Sequence, residues 1–301
     1  MKTITSLIRL SNPLLLLGGI VVFTLGGGIV NYLGIPLNWG VYILGQAWVT
    51  TLQLSAQYLN EYFASPADHQ NPKRPTFAGI SGVLGPDGLP RRLALIAAYG
   101  CLAVNATLLV LLLMTTRLTL PTVLVLILLY LGAIFYSVPP IRLSVTGYGE
   151  LTLSILIANL LPALAYLLQT GELHRLLAMS TFPLALLHLA MMISFEFPDY
   201  ARDANFGKRT LLVRVGWQRG MMMNNLLILS AYLLLGVAVA FGLPILIAVP
   251  AFLTFPLGLL QIWQMRRIAE GAKPNWNALT LNALVLFGVV AYLLAYAFWT
   301  R

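Results

Sequence analysis

Apolar residues along this chain come in long runs. Nine stretches are predominantly apolar, at roughly 12–31, 38–59, 93–115, 119–137, 150–169, 176–197, 222–241, 243–264 and 278–299. Runs of about 20 residues match the ~30 Å hydrocarbon layer of a bilayer when wound into α-helices. The period-two alternation of barrel strands is missing, and a lipid-spanning backbone without a closed barrel must satisfy its own N–H and C=O groups as helix. The pattern therefore predicts an all-α, polytopic membrane protein, a bundle of nine transmembrane helices. The first run follows only Lys2 and Arg9 and lacks a small-residue cleavage site, so it reads as a retained helix and not a signal peptide.

Composition agrees. Of 301 residues 59% are hydrophobic and 9% charged, whereas a soluble domain carries roughly 25% charged residues. The formal net charge of +9 suggests nucleic acid only until the cations are placed. With the N-terminus in the cytoplasm, all of the 18 Lys and Arg residues except Arg117, Arg175 and Arg301 fall on the cytoplasmic side. That asymmetry follows the positive-inside rule and puts the C-terminus outside. The reading is a multi-pass protein of the bilayer, in a bacterial inner membrane, with no nucleic-acid partner. Cys101 is the single cysteine, which excludes an intrachain disulfide and a cysteine-based metal site.

The polar residues are concentrated. Of nine acidic residues, only Glu172 falls on the outer side, and five gather at 61–68 and 196–203, at the cytoplasmic ends of the second and sixth runs. Asp199 and Asp203 stand four residues apart, so a helix continuing past Pro198 puts both on one face. Two carboxylates at that spacing suit Mg2+, which takes one or two protein carboxylates and fills its shell with water and phosphate oxygens. Lys208 and Arg209 follow, and their cations suit the remaining phosphate charge. A solvated run of mutually offsetting charges is the plainer alternative. The earlier cluster repeats the theme with Asn60, Glu61 and Asp68, then Lys73 and Arg74. The repetition hints at an internal duplication, with motifs near 60–75 and 199–210, inside a single domain spanning 1–301. Acid and base clusters beneath a lipid-enclosed cavity suit a substrate with a diphosphate head and a hydrocarbon tail.

These residues resemble the UbiA-type intramembrane prenyltransferase superfamily. "NEYFASPAD" (60–68) occupies the place of its first motif, N-D-x-x-D-x-x-x-D, and "DYARD" (199–203) that of its second, D-x-x-x-D. "NPKRP" (71–75), "YSVPPIRL" (136–143), "GYGE" (147–150) and "GKRTLLVRVG" (207–216) extend the likeness. The resemblance implies a magnesium-dependent enzyme that moves a prenyl group from a polyprenyl diphosphate to a small aromatic acceptor, in lipoquinone or related prenyl-lipid synthesis. It implies metal binding by Asp68, Asp199, Asp203, Glu61 and Asn60, with Asp199, Asp203 and Asp68 catalytic. It implies substrate binding by Asn60, Glu61, Lys73, Arg74, Tyr136, Arg142, Lys208 and Arg209. "TFAGISGVL" (76–84) is similar to the branch that prenylates dihydroxynaphthoate in menaquinone synthesis, whereas "NPKRP" is closer to the wider family.

The first motif departs from the family pattern. Glu61 replaces its second residue, Ala64 replaces its middle Asp, and Pro66 enters it. Two other readings therefore stand beside the enzyme: a weakened relative that binds a prenyl lipid or a partner without turnover, and an unrelated transporter. Transporters place ionisable groups near the midplane, and here the acids sit at one face. His188, Asn105, Asn159 and Asn282 lie within runs and read as hydrogen-bonding glue between helices. Tyr62, Tyr136 and Tyr200 border the motifs, either as aromatic faces for a cation or as interface anchors.

Overall fold

The computed structural model describes residues 2–64, 80–85, 88–116 and 119–301, with side chains from residue 6 onward. The expected site residues Asp68, Lys73 and Arg74, with Pro66, lie outside the described residues. All regular elements among the described residues are helical. They are α1 (Lys2–Ser11), α2 (Pro13–Tyr32), α3 (Trp39–Tyr62), α4 (Arg91–Thr115), α5 (Leu120–Ser137), α6 (Gly149–Thr170) and α7 (Arg175–Glu196). Then come α8 (Tyr200–Asn205), α9 (Leu211–Val215), α10 (Trp217–Ala240), α11 (Ile245–Phe252), α12 (Phe255–Ala269) and α13 (Trp276–Thr300). Among the described residues eight helical segments are long and apolar enough to cross a membrane, which makes the chain an integral multi-pass membrane protein. The run expected as the second span forms α3, a 24-residue helix outside that set of eight. Its length suffices, but Gln46, Thr50, Thr51, Gln53, Gln57, Asn60 and Glu61 dilute its hydropathy.

Start and stop signals explain most boundaries. Asn38 accepts a hydrogen bond from Val41 N at 3.2 Å and Asn275 one from Ala278 N at 3.1 Å, capping α3 and α13. Pro13 and Pro121 occupy the first turns of α2 and α5, where a missing N–H costs nothing. The run 243–264 breaks at Leu253–Thr254 into α11 and α12. Pro256 cannot donate to the preceding turn and its ring crowds that turn's carbonyl, so the helix restarts there. An additional helix, α1, precedes the first span; Ser11 Oγ lies 2.7 Å from Tyr58 Oη and joins it to α3.

Packing brings the first and last spans together, α2 against α13, and joins α13 to α7 and α7 to α10. On the other side α3 lies against α4 and α5, while α2 contacts α3 and the second half of α6. Gly26 makes the α2–α6 approach feasible, since a Cβ there would collide with the Pro162 carbonyl oxygen. One buried apolar cluster runs from Val22 on α2 to Phe298 on α13. In lipid such burial gains little from hydrophobicity, so close van der Waals packing and interhelical hydrogen bonds carry the association.

The polar contribution is a connected ladder. Asn224 on α10 donates to Ala190 O at 2.7 Å and Ser194 Oγ at 2.8 Å on α7. Gln261 on α12 donates to the same Ser194 Oγ at 2.9 Å, and Asn282 on α13 donates to Gln261 Oε1 at 2.8 Å. Asn105 likewise ties α4 to Trp48 O on α3 at 2.7 Å. Asn105 and Asn282 thus act as the expected glue. His188 does as well, with its Nδ1 2.9 Å from Ser154 Oγ and its ring edge-on to Phe287. Asn159 differs: its Oδ1 is buried without a hydrogen-bond partner among the described residues.

Candidate active site

The ladder ends at Ser194, two residues before Glu196, where α7 gives way to the acid-bearing turn. Pro198 cannot continue the α-helical bonding, and Phe197–Asp199 tighten into a 3-10 turn before α8 resumes helix. Asp199 and Asp203 are both buried, at 6% and 2% exposure. Arg202 Nη1 donates to Asp199 Oδ1 at 2.9 Å, and Lys208 Nζ lies 3.3 Å from Asp203 Oδ2. Lys208 N also donates to Asp203 O at 2.9 Å, which closes the turn that returns the ammonium to the carboxylate. The expected trio of Asp199, Asp203 and Lys208 is therefore one cluster. Arg209 is exposed, and its backbone N–H donates to Val145 O at 3.1 Å.

Two further carboxylates brace this cluster. Glu150 Oε1 accepts from Leu211 N and Glu196 Oε2 from Leu212 N, each at 3.1 Å. These are first-turn N–H groups of α9, which the helix itself leaves unpaired, and anions are favoured there. Thr210 Oγ1 accepts from Val213 N at 3.4 Å and completes the cap. The Glu150 and Glu196 carboxyl groups lie within hydrogen-bonding reach of each other, and Lys208 is close enough to act on Glu196 electrostatically. Glu150 was legible only as the last residue of "GYGE", and its partnership with Glu196 was missed. The available signal was an acid at the start of an otherwise apolar span.

The first cluster is built differently. Glu61, at 0% exposure, accepts from Ser81 N in the following loop and from Gln57 Nε2 at 3.2 Å. Asn60 Oδ1 accepts from Ser137 Oγ at 3.0 Å. Arg142 Nη2 donates to Phe63 O at 2.8 Å, and Arg91 Nη2 to Tyr62 O at 2.9 Å. Those two arginines satisfy carbonyls that the end of α3 leaves open, immediately before Ala64. Tyr136 and Tyr200 are partly buried, Tyr200 with its ring 5.4 Å from Trp217.

Residues 137–150 join the two clusters. Ser137 and Arg142 hold the end of α3, and Val145 O and Glu150 hold the 209–211 backbone. Gly147 has φ +77 and lies so close to Arg214 and the Arg209 carbonyl that any Cβ would collide with both. The "YSVPPIRL" and "GYGE" segments thus form a bracket that sets both clusters at one end of the bundle. Among the described residues no three of His, Cys, Asp and Glu stand close enough to hold a metal as a group. The paired carboxylates Asp199 and Asp203, already countered by cations, fit an ion that takes two protein oxygens and finds the rest of its shell on phosphate and water.

Comparison with solved structures supports this assignment of the fold. A UbiA homologue from Archaeoglobus fulgidus bound to GPP and Mg2+ aligns with a TM-score of 0.68 at 17% identity, over 98% of this chain and 100% of that one. The same protein bound to DMAPP and Mg2+ gives 0.67 at 17% identity, over 95% and 98%. A UbiA homologue from Aeropyrum pernix K1, without ligand, gives 0.64 at 17% identity, over 90% and 94%. No curated protein sequence matches the chain. The profile of the UbiA prenyltransferase family, however, matches residues 20–284, and by that match, which takes in both acid clusters and the bracket between them, the chain belongs to the UbiA prenyltransferase family.

Proposed function

We propose that this prenyltransferase moves the prenyl group of a polyprenyl diphosphate onto a small aromatic acceptor, with Mg2+, in lipoquinone or related prenyl-lipid synthesis, from the cytoplasmic face of a bacterial inner membrane. The observation that carries the reading is the buried Asp199–Asp203–Lys208 cluster, braced by Glu150 and Glu196 and bracketed to Asn60 and Glu61. Solved relatives bind GPP or DMAPP together with Mg2+. In this chain Asp199 and Asp203 would hold the ion, with Asp68, Glu61 and Asn60 contributing from the first motif. A divalent ion held there would supply neutralising charge to the leaving diphosphate; the allylic C–O bond would break with its electron pair going to the diphosphate oxygen.

The remaining work belongs to side chains. Lys208 and Arg209, with Lys73 and Arg74, offer donors to phosphate oxygens. Arg142, held against Phe63 O, faces the same end of the bundle and serves the diphosphate or an acceptor carboxylate. Tyr136 and Tyr200 supply aromatic faces for the allylic cation. The electron-rich ring then forms the new C–C bond and loses its proton to the released diphosphate. Exclusion of water by the surrounding apolar spans keeps the cation from hydrolysis.

The test is direct. Purified protein with a long-chain prenyl diphosphate, Mg2+ and a panel of hydroxylated aromatic acids should yield a prenylated ring product, identified by mass spectrometry, and chelation by EDTA should stop its formation. Folded protein that binds the diphosphate yet gives no product with any acceptor would overturn the enzyme reading in favour of a lipid-binding relative. Product formation only with a non-aromatic acceptor would overturn the choice of acceptor alone.

A further inference from the structure

A shallow trough of about 460 Å³ runs along the outward face of α10, roofed at one end by α9. Arg214 and Arg219 stand at that end, followed by Met222, Met223, Leu226 and Leu227, with Ser230 at the far end. On α10 the lining positions 219, 222, 223, 226, 227 and 230 follow helical spacing and share one face. Met222 and Leu226 are exposed, whereas Met221 and Asn224, on the opposite face, are buried inside the bundle. The trough therefore opens toward lipid. None of the proposed catalytic or metal-binding side chains lines it.

Its dimensions and chemistry specify an occupant. From Arg219 to Ser230 the helix rises ~16 Å, about half of the ~30 Å hydrocarbon layer and so the depth of one leaflet. The cations sit only at the end nearest the acid clusters, where the cation-rich turn 207–219 meets the head-group zone. Arg214 is pre-positioned: its guanidinium lies 4.9 Å over the Tyr148 ring. Neither arginine forms an ion pair with a described carboxylate. Guanidinium groups bind phosphate oxygens through paired N–H donors. Methionines give the walls below an adaptable surface that suits a flexible chain.

We propose that this trough binds one anionic phospholipid, its phosphate held by Arg214 and Arg219 and one acyl chain lying along Met222 to Ser230. Basic pockets at the head-group level of transmembrane helices are favourable sites for anionic head groups in general. Arg214 also presses against Gly147 and belongs to the strand of chain leading from Lys208. A bound phosphate would thus tether the outer side of the same turn whose inner side carries the Asp203–Lys208 pair.

The experiment is native mass spectrometry of the detergent-solubilised chain titrated with phosphatidylglycerol or phosphatidylcholine of equal chain length. One phosphatidylglycerol should be retained ~10-fold better than phosphatidylcholine. Arg219→Gln, at an exposed position with no hydrogen bond or ion pair to another described side chain, should abolish that preference. Leu226→Trp, which fills the trough and leaves both arginines intact, should weaken retention of phosphatidylglycerol as well. Inorganic phosphate at matched ionic strength should not compete. Equal retention of the two lipids, wild-type preference in Arg219→Gln, or full competition by inorganic phosphate would each overturn the proposal. So would displacement of phosphatidylglycerol by geranyl diphosphate, which would make the trough a substrate path instead.

Discussion

The two acid clusters sit at the same end of the bundle and are built on opposite plans. At the end of α3 the carboxylate of Glu61 accepts from Ser81 N and Gln57 Nε2 among its partners, and the nearby cations Arg91 and Arg142 bond backbone carbonyls. After α7 the carboxylates Asp199 and Asp203 face cations directly, and Glu150 and Glu196 hold the backbone that presents Lys208. The described part of the first cluster is shaped by backbone capping at the end of α3. The second reads as a charge-dense site in which metal and phosphate can replace existing partners. Ala64 falls in the first, directly after the Tyr62 and Phe63 carbonyls that Arg91 and Arg142 hold.

The largest effect expected from this contrast is in the second cluster. Asp203→Asn and Asp199→Asn should each lower kcat by at least ~100-fold, with unchanged expression and melting temperature, as checked by product formation and thermal unfolding in detergent. Full activity in both variants would move the metal to the first cluster. Next comes the brace. Glu150→Ala leaves Leu211 N without its carboxylate partner in a partly buried setting, a cost of ~1 kcal/mol, and should lower kcat by about tenfold as the Lys208 turn loosens. Glu150→Gln keeps an acceptor oxygen and should recover most of that loss.

Smaller effects follow. Lys208→Met should raise KM for the prenyl diphosphate by ~10-fold while changing kcat less, since one charge-assisted contact to phosphate is lost. The smallest belongs to the first cluster. Ala64→Asp should leave kcat within ~3-fold of wild type and lower the Mg2+ concentration needed for half-maximal rate. A large loss on Ala64→Asp would mean that the first cluster tolerates no added charge, and the contrast between the clusters would sharpen into a division of labour.

Hydrophobic run length was enough to predict a helical membrane protein, and each predicted run lies within about five residues of a helical segment, eight of which have span length and hydropathy among the described residues. The run 243–264 matches the span-length segment Ile245–Ala269, although run length did not foresee the break at Leu253–Thr254, which comes from Pro256 inside an otherwise uninterrupted apolar stretch. Run length also began α10 five residues late, since Trp217, Gln218 and Arg219 dilute the first turn of that helix. The Asp199–Asp203–Lys208 grouping was legible because its members lie within ten residues, where helical spacing relates the two acids and the turn after Asn205 returns Lys208 to Asp203. Glu150 with Glu196, and Ser137 with Asn60, were not legible, because their partners lie far apart in the chain and meet only when α6 packs on α7 and α5 on α3.

What the sequence by itself determined is therefore whatever is local in physics: apolar runs too long for a soluble core, caps at Asn38 and Asn275, and a carboxylate pair four residues apart. Tertiary structure alone decided how residues 137–150 bracket the two clusters, and which buried carboxylates hold backbone N–H groups. It also decided that α10 turns Asn224 inward and its arginine-headed trough toward lipid. The reason is that a side chain's partner across a helix interface depends on the rotation and depth of both helices, which no single apolar run encodes.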